Sequence, residues 1–194
     1  MNSIVVFASG SGTNFQAIID AVESGEIDAR ISGLVASKPG IGALERARKH
    51  GIESVVLAPG DFQEAEAYEK RLLEVLADWD PDLIVLAGYM QKVPASVIDR
   101  YPRRIINIHP ALLPKYGGKG FYGIKVHEAV IEGGEEESGC SVHYVTEEYD
   151  EGPVIAQSRV PVRDADDPAA LAERVLKQEH KLLPKVISEL LDDR

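Results

Sequence analysis

Ile4-Val5-Val6-Phe7-Ala8-Ser9-Gly10-Ser11-Gly12-Thr13-Asn14-Phe15 is the stretch on which the fold turns. Five consecutive apolar residues, the first three of them β-branched, run into a glycine–serine turn. Beyond it Phe15, Ile18, Ile19 and Val22 recur at i, i+3, i+4 and i+7, the stripe of a helix packed on one side. A continuous apolar strand is covered on both faces, and the striped helix that follows it is one cover. The unit then repeats. Residues 31–36 are strand-like, 42–49 helical and 53–57 strand-like. Asp61 stands where it can cap a helix whose Ala65, Tyr68, Leu72, Val75 and Leu76 share one face, and residues 83–87 form another continuous apolar run after Pro81. Strands alternating with amphipathic helices predict a doubly wound, mainly parallel α/β sheet.

The second half continues the pattern and then departs from it. A helix fits residues 94–100 and a strand 104–109. After Pro110 glycines crowd positions 117, 118, 120 and 123, a short helix fits 125–132, and strands fit 140–145 and 154–160 around an acidic turn at 147–152. Asp167 and Pro168 are the N-cap and first residue of a long last helix, in which Pro184 removes a donor and crowds the carbonyl of His180, predicting an interruption. With no internal repeat, low-complexity segment or linker, residues 1–194 are expected to form a single domain.

Composition narrows the function classes. The 194 residues carry 21 Lys+Arg against 32 Asp+Glu, a formal charge of −11, with 44% hydrophobic and 27% charged residues, an ordinary globular balance. Such acidity disfavours non-specific binding to nucleic acid or an anionic membrane. It does not exclude a small anion held by backbone N–H groups. The charge is uneven, however: from residue 89 to residue 127 seven Lys or Arg face the single Asp99. The lone Cys140 forms no internal disulfide, no apolar run approaches the ~20 residues of a membrane span, and the N-terminus lacks the build of a signal peptide, so a soluble, cytoplasmic protein is expected.

Several residues stand out as candidate sites. The loop at 9–14 sits between strand and helix, where successive N–H groups favour an anion; the alternative is a tight turn with Thr13 as helix cap. It is neither a dinucleotide fingerprint, since Phe15 occupies the third glycine position, nor a Walker loop, since no Gly-Lys-Ser/Thr follows. Asn107 and His109 are two apart on one strand and so project to the same face, at the carboxyl end where open α/β sheets bind ligands. An amide donor beside an imidazole can stabilise an oxyanion and shuttle a proton. Asp150 lies among four acids in five positions, a pattern that by itself describes a solvated turn; as a partner of His109 it would raise that imidazole's pKa. Glu179 falls on the core-facing stripe of the last helix, where an acid needs a partner. His143 reads as a mid-strand residue, His50, His127 and His180 as helix-surface or packing residues, and Cys140 as a small core residue. No His/Asp/Glu spacing matches a metal site, and there is no Gly-x-Ser-x-Gly elbow.

Taken in order, residues 9–18 (Ser-Gly-Ser-Gly-Thr-Asn-Phe-Gln-Ala-Ile), 86–90 (Leu-Ala-Gly-Tyr-Met), 106–116 (Ile-Asn-Ile-His-Pro-Ala-Leu-Leu-Pro-Lys-Tyr), 141–145 (Ser-Val-His-Tyr-Val), 150–153 (Asp-Glu-Gly-Pro) and 178–180 (Gln-Glu-His) resemble the phosphoribosylglycinamide formyltransferases, folate-dependent enzymes of purine synthesis. The resemblance runs from the first strand to the last helix. It implies a nucleotide-binding half at about 1–105 and a catalytic, folate-binding half at about 106–194. It implies Asn107, His109 and Asp150 as the catalytic trio, with direct attack of the glycinamide amine on the formyl carbon of 10-formyltetrahydrofolate. Gly12, Thr13 and Asn14 match the family's phosphate loop, and Leu176, Lys177, Gln178 and Glu179 the segment holding the glycinamide end and ribose. Met90, Gln91, Lys92 and Val93, together with Thr146, Glu147, Glu148, Tyr149, Asp150 and again Asn107, match the folate pocket.

The same resemblance implies two small-molecule substrates, glycinamide ribonucleotide and the folate, no metal, no nucleic acid and no membrane, and it allows a homodimer. Two departures are specific to this chain: Gln91-Lys92 stands where many members carry Arg, and Ala65 at another position often Arg. The glycine-rich stretch 115–123 is long, and Lys119 or Lys115 is expected to bring charge near the substrate. The trio is also similar to that of formyltetrahydrofolate hydrolases and of formyltransferases acting on tRNA or nucleotide sugars. The hydrolases carry an extra N-terminal domain and the tRNA enzymes an extra C-terminal one, for which the chain is expected to have no room. A folate- or nucleotide-binding module without catalysis is the alternative of another class.

Overall fold

The computed structural model describes residues 1–192. Strands β1 (Asn2–Ala8), β2 (Ala29–Ala36), β3 (Ser54–Val56), β4 (Leu83–Leu86) and β5 (Ile105–His109) alternate with helices α1 (Thr13–Glu23), α2 (Gly42–Lys49), α3 (Ala65–Trp79) and α4 (Ala95–Arg100). Helix α5 (Ile124–Glu132), strands β6 (Glu137–Tyr144) and β7 (Val154–Pro161) and the long α6 (Pro168–Asp192) complete the chain. The seven strands form one sheet in the order β3-β2-β1-β4-β5-β6-β7. β1 to β5 pair in parallel, and β6 and β7 pair antiparallel.

The period of two along β1 divides the core. Ile4, Val6 and Ala8 face Phe15, Ile18, Ala43, Leu183 and Val186, whereas Val5 and Phe7 face Leu72, Leu76 and Val97. Helices therefore cover both faces, α1, α2, α5 and α6 on one and α3 and α4 on the other. Truncating one wholly buried member, such as Leu72 to Ala, costs ~2–5 kcal/mol. From β1 the chain steps to one side through β2 and β3, then returns through α3 to place β4 on the other side of β1. The carboxyl ends of β1 and β4 thus flank the crevice where ligands bind in such sheets. Among the described residues no helix is long and apolar enough to cross a membrane.

Three local expectations are corrected. Gly12, not Thr13, precedes α1, at φ 74°, and no side chain caps the helix. The loop runs so close to α2 that a Cβ on Gly12 would lie 2.8 Å from the Ala43 Cα, so only glycine fits, and the first-turn N–H groups stay open. Asp61 ends a short 3₁₀ turn, and α3 begins at Ala65 after Glu64. Pro184 does not interrupt α6: buried Leu171 and Val175 before it, and Val186, Ile187 and Leu191 after it, pin the helix to the sheet on both sides. At the start of α6 the expectation holds, with Asp167 Oδ1 accepting the Ala170 N–H at 2.8 Å.

Candidate active site

A cleft of about 740 Å³ opens at the carboxyl ends of β1, β4 and β5. One wall is the loop from Gly10 to Asn14, backed by Glu173, Leu176 and Glu179 of α6; the other carries Met90 to Val93 and Thr146 to Tyr149; the floor holds Asn107, His109, His143 and Asp150.

The floor follows from strand register. Asn107 pairs with His143 across β5 and β6, so both side chains emerge on one face. Asn107 Nδ2 lies 3.0 Å from His143 Nε2, and His143 Nδ1 donates to the Tyr144 carbonyl at 2.9 Å. Asp150 comes from the loop between β6 and β7 in a left-handed conformation, φ 58°. Its Oδ1 accepts from Asn107 Nδ2 at 3.3 Å and its Oδ2 from the Gly118 N–H at 2.9 Å. Asp150 Oδ2 also lies 3.5 Å from His109 Nδ1, and Oδ1 3.4 Å from His143 Nε2. The acidic turn is therefore not merely solvated: its aspartate is largely buried in the floor, while Glu147 and Glu148 face water.

His109 Nε2 donates to the Tyr116 carbonyl at 2.8 Å, so Nδ1 is the nitrogen turned toward Asp150. Its pKa does not rise as expected. Burial, acting against the cation, lowers it below the usual 6.5 and outweighs the opposing pull of Asp150 and the Tyr116 carbonyl, with His143 adding to the fall. For Asp150, burial works upward, but the contacts with His143, His109 and the Gly118 N–H win, and the carboxyl lies below its ordinary range. Sequence reasoning missed two histidines here. His143 is visible only through its register with Asn107, and His127 of α5, expected to be a packing residue, lines the cleft with its Nδ1 buried and, among the described residues, unpaired, and its pKa pushed down to about 4 by burial and the nearby His109.

Opposite the floor, Asn14 Nδ2 donates to Glu179 Oε2 at 2.8 Å, giving the buried acid its partner. Burial still raises the Glu179 pKa, although Asn14 opposes it. Among the described residues Asn14 Oδ1 is buried without a partner. Helical periodicity separates the four residues of this segment: Leu176 and Glu179 line the cleft, but Lys177 and Gln178 turn away, Lys177 to Glu173 at 2.8 Å and Gln178 to Ser158 at 3.1 Å. Ser9 Oγ accepts from the Met90 N–H at 2.8 Å and from Ser37 Oγ at 2.7 Å, joining the glycine loop to the opposite wall. There Lys92 Nζ stands 6.0 Å from the ring centre of the exposed Tyr149, so the two segments expected to form the folate pocket face each other. Of the two candidate lysines only Lys119 lines the cleft; Lys115 is outside it, paired with Glu135 at 2.8 Å. Cys140 is a buried core residue whose thiol is pushed up to about 12, chiefly by burial and also by Glu179. Among the described residues no group of three or more His, Cys, Asp or Glu is arranged to hold a metal ion.

This arrangement can stabilise an oxyanion, move a proton and hold an anion at a helix start. Comparison with known proteins gives the family. Residues 2–187 match the Formyl transferase family. The phosphoribosylglycinamide formyltransferase of Escherichia coli K12 is 42% identical over 192 residues, spanning 99% of this chain and 88% of that protein. The chloroplastic phosphoribosylglycinamide formyltransferase of Arabidopsis thaliana is also 42% identical, over 98% of this chain, which spans 66% of that protein's length. The crystal structure of glycinamide ribonucleotide transformylase 1 from Symbiobacterium toebii superposes with a TM-score of 0.93 at 37% identity, covering 100% of this chain and 89% of that one. By the extent of that match in sequence and in fold, the chain belongs to the phosphoribosylglycinamide formyltransferase family.

Proposed function

We propose that the cleft transfers the formyl group of 10-formyltetrahydrofolate to the amine of glycinamide ribonucleotide, with Asn107, His109 and Asp150 as its chemical centre. The observation that carries this reading is their convergence at the floor, between an open helix start with a buried Asn14–Glu179 pair on one side and the Met90–Tyr149 walls on the other. The ribonucleotide phosphate lies on the first-turn N–H groups of α1, where the helix dipole favours an anion. Glu179 takes hydroxyls of the ribose, and the free Oδ1 of Asn14 accepts from the same ligand. The pterin lies between Met90–Val93 and Thr146–Asp150. Lys92 and Lys119 are cleft-lining cations placed for the two anionic substrates.

The amine nitrogen attacks the formyl carbon, a C–N bond forms, and negative charge collects on the formyl oxygen. His109 Nδ1 donates to that oxygen as the imidazolium. Its Nδ1 lies 3.5 Å from Asp150, long for a hydrogen bond, so a proton taken up there is available to the oxyanion. Asn107 exchanges its longer bond, the 3.3 Å one to Asp150, for the same oxygen. Asp150 carries the proton lost by the attacking amine to N10 of the folate, whose bond to the formyl carbon then breaks. No covalent enzyme intermediate is needed, because proximity within the cleft does the work of a nucleophile. The buried free Cys140 fits action in the reducing cytoplasm.

The test is to follow loss of 10-formyltetrahydrofolate with and without glycinamide ribonucleotide. Loss that requires the ribonucleotide supports transfer. Equal loss in its absence means water is the acceptor, and no loss in either case means a binding module.

A further inference from the structure

His109 is held from outside the cleft. The carbonyl that takes its Nε2–H belongs to Tyr116, which adopts φ 56°, a left-handed conformation uncommon for a bulky residue. A backbone in that region persists where its surroundings hold it, and Tyr116 is held by its far end. Its hydroxyl donates to Glu135 Oε1 at 3.0 Å, and Glu135 is itself clamped by Lys115 Nζ at 2.8 and 3.0 Å on its two oxygens. Gly133, at the end of α5, leaves room for the hydroxyl, since a Cβ there would collide with it. The ring stands edge-on to Phe121 with centroids 6.0 Å apart. Glu135, Gly133 and Lys115 line a separate surface pocket behind β6 and do not line the catalytic cleft.

We propose that Tyr116 and Glu135 form a positioning arm for His109. The hydroxyl–carboxylate bond holds Tyr116 so that its carbonyl fixes the Nε2–H tautomer, and this leaves Nδ1, beside Asp150, as the nitrogen that exchanges the proton. Without the arm the neutral imidazole is free to carry its proton on Nδ1 or to turn away from Asp150. The groups that face His109 directly are Asp150 and His143 from β6 and the loop after it and His127 from α5; those that face the Tyr116 hydroxyl are Glu135 and Lys115. The arm rests on the formyl-transfer reading only for its kinetic consequences.

The variants Tyr116→Phe, Glu135→Ala, Glu135→Gln and Lys115→Met separate the hydroxyl bond from the ion pair. In the unliganded protein, long-range ¹H–¹⁵N NMR of the histidine rings is expected to show the Nε2–H tautomer at His109. Tyr116→Phe and Glu135→Ala are expected to mix the tautomers and lower the His109 ionisation, because a contact favouring the cation is loosened. With formyl transfer as readout, each should lower kcat about ten-fold while leaving the KM for the ribonucleotide within about two-fold. Glu135→Gln, which keeps an acceptor for the hydroxyl, should recover most of the loss, Lys115→Met should stay close to the unmodified protein, and Tyr116→Phe combined with Glu135→Ala should be no worse than the poorer of those two single variants. An unchanged His109 titration in Tyr116→Phe, or equal losses in Lys115→Met and Glu135→Ala, overturns the proposal. NMR effects as expected in a protein that transfers no formyl group would uphold the arm and refute the formyl-transfer reading instead.

Discussion

His109 Nδ1 and Asp150 Oδ2 stand 3.5 Å apart in the floor of the cleft, although one residue ends a central strand and the other sits in a surface turn after the neighbouring strand. The imidazole is buried enough that its cation is disfavoured, and the carboxylate is the main force acting the other way. Replacing Asp150 by Asn removes that force. The His109 pKa is expected to fall further below 6.5, readable by NMR titration, and kcat to drop about 10²-fold or more. Ribonucleotide affinity by calorimetry should be nearly unchanged; a large loss of affinity would place Asp150 in binding rather than chemistry.

The second prediction concerns acid stability. His127 is neutral in the folded protein down to about pH 4 but protonates near 6.5 when unfolded. The unfolded chain therefore binds more protons between those values, and stability is lost as pH falls through that window. From pH 7 to pH 5 this group alone removes about 2 kcal/mol. His127→Leu should flatten the acid limb of urea-unfolding stability by that amount. An unaltered limb would show that His127 is not the group responsible.

Glu179 carries the opposite sign. Its pKa is raised in the folded state, so burial favours the uncharged acid and stability contributed there is greatest at low pH and falls as pH rises through the folded pKa. Glu179→Gln is accordingly expected to fold at least as stably at pH 7, while losing a charged acceptor for ligand hydroxyls raises the ribonucleotide KM about ten-fold or more. Loss of stability without a change in KM would mean that the acid serves the core and not the ligand.

Lys119 and Lys115 are four residues apart and should behave differently. Lys119 lines the cleft, whereas Lys115 is exposed and ion-paired to Glu135. Lys119→Ala should raise KM for an anionic substrate about ten-fold with little effect on kcat, and more so at low salt. Lys115→Ala should leave KM alone. Equal effects in steady-state assays would refute the distinction.

Much of this architecture was legible because secondary structure records itself in local periodicity. The apolar run at β1, the stripe of α1 and their repetition through β4 specify a two-faced sheet without reference to any distant residue. Asn107 and His109 were legible for the same reason, since residues two apart on a strand must share a face. Glu179 stood out as an acid on an apolar stripe. Pro184, by contrast, misled because local cost was weighed without the burial that holds α6 to the sheet on both sides of it.

What the tertiary structure alone decided is which distant groups meet. Nothing in the spacing of Asp150 distinguishes it from the other acids of its turn; antiparallel pairing of β6 with β5 brings His143 opposite Asn107, and the turn that follows delivers the one carboxylate that reaches His109. Likewise the partner of Glu179 is Asn14, from the other end of the chain, because α6 packs against α1. Even the sign of the His109 shift needed the fold, since it depends on whether desolvation or the neighbouring charge is larger. The sequence by itself determined the elements, their order and the chemical types at the strand ends, all consequences of backbone geometry over a few residues. Contacts, burial and electrostatics are sums over residues far apart in the chain, and only the folded molecule performs those sums.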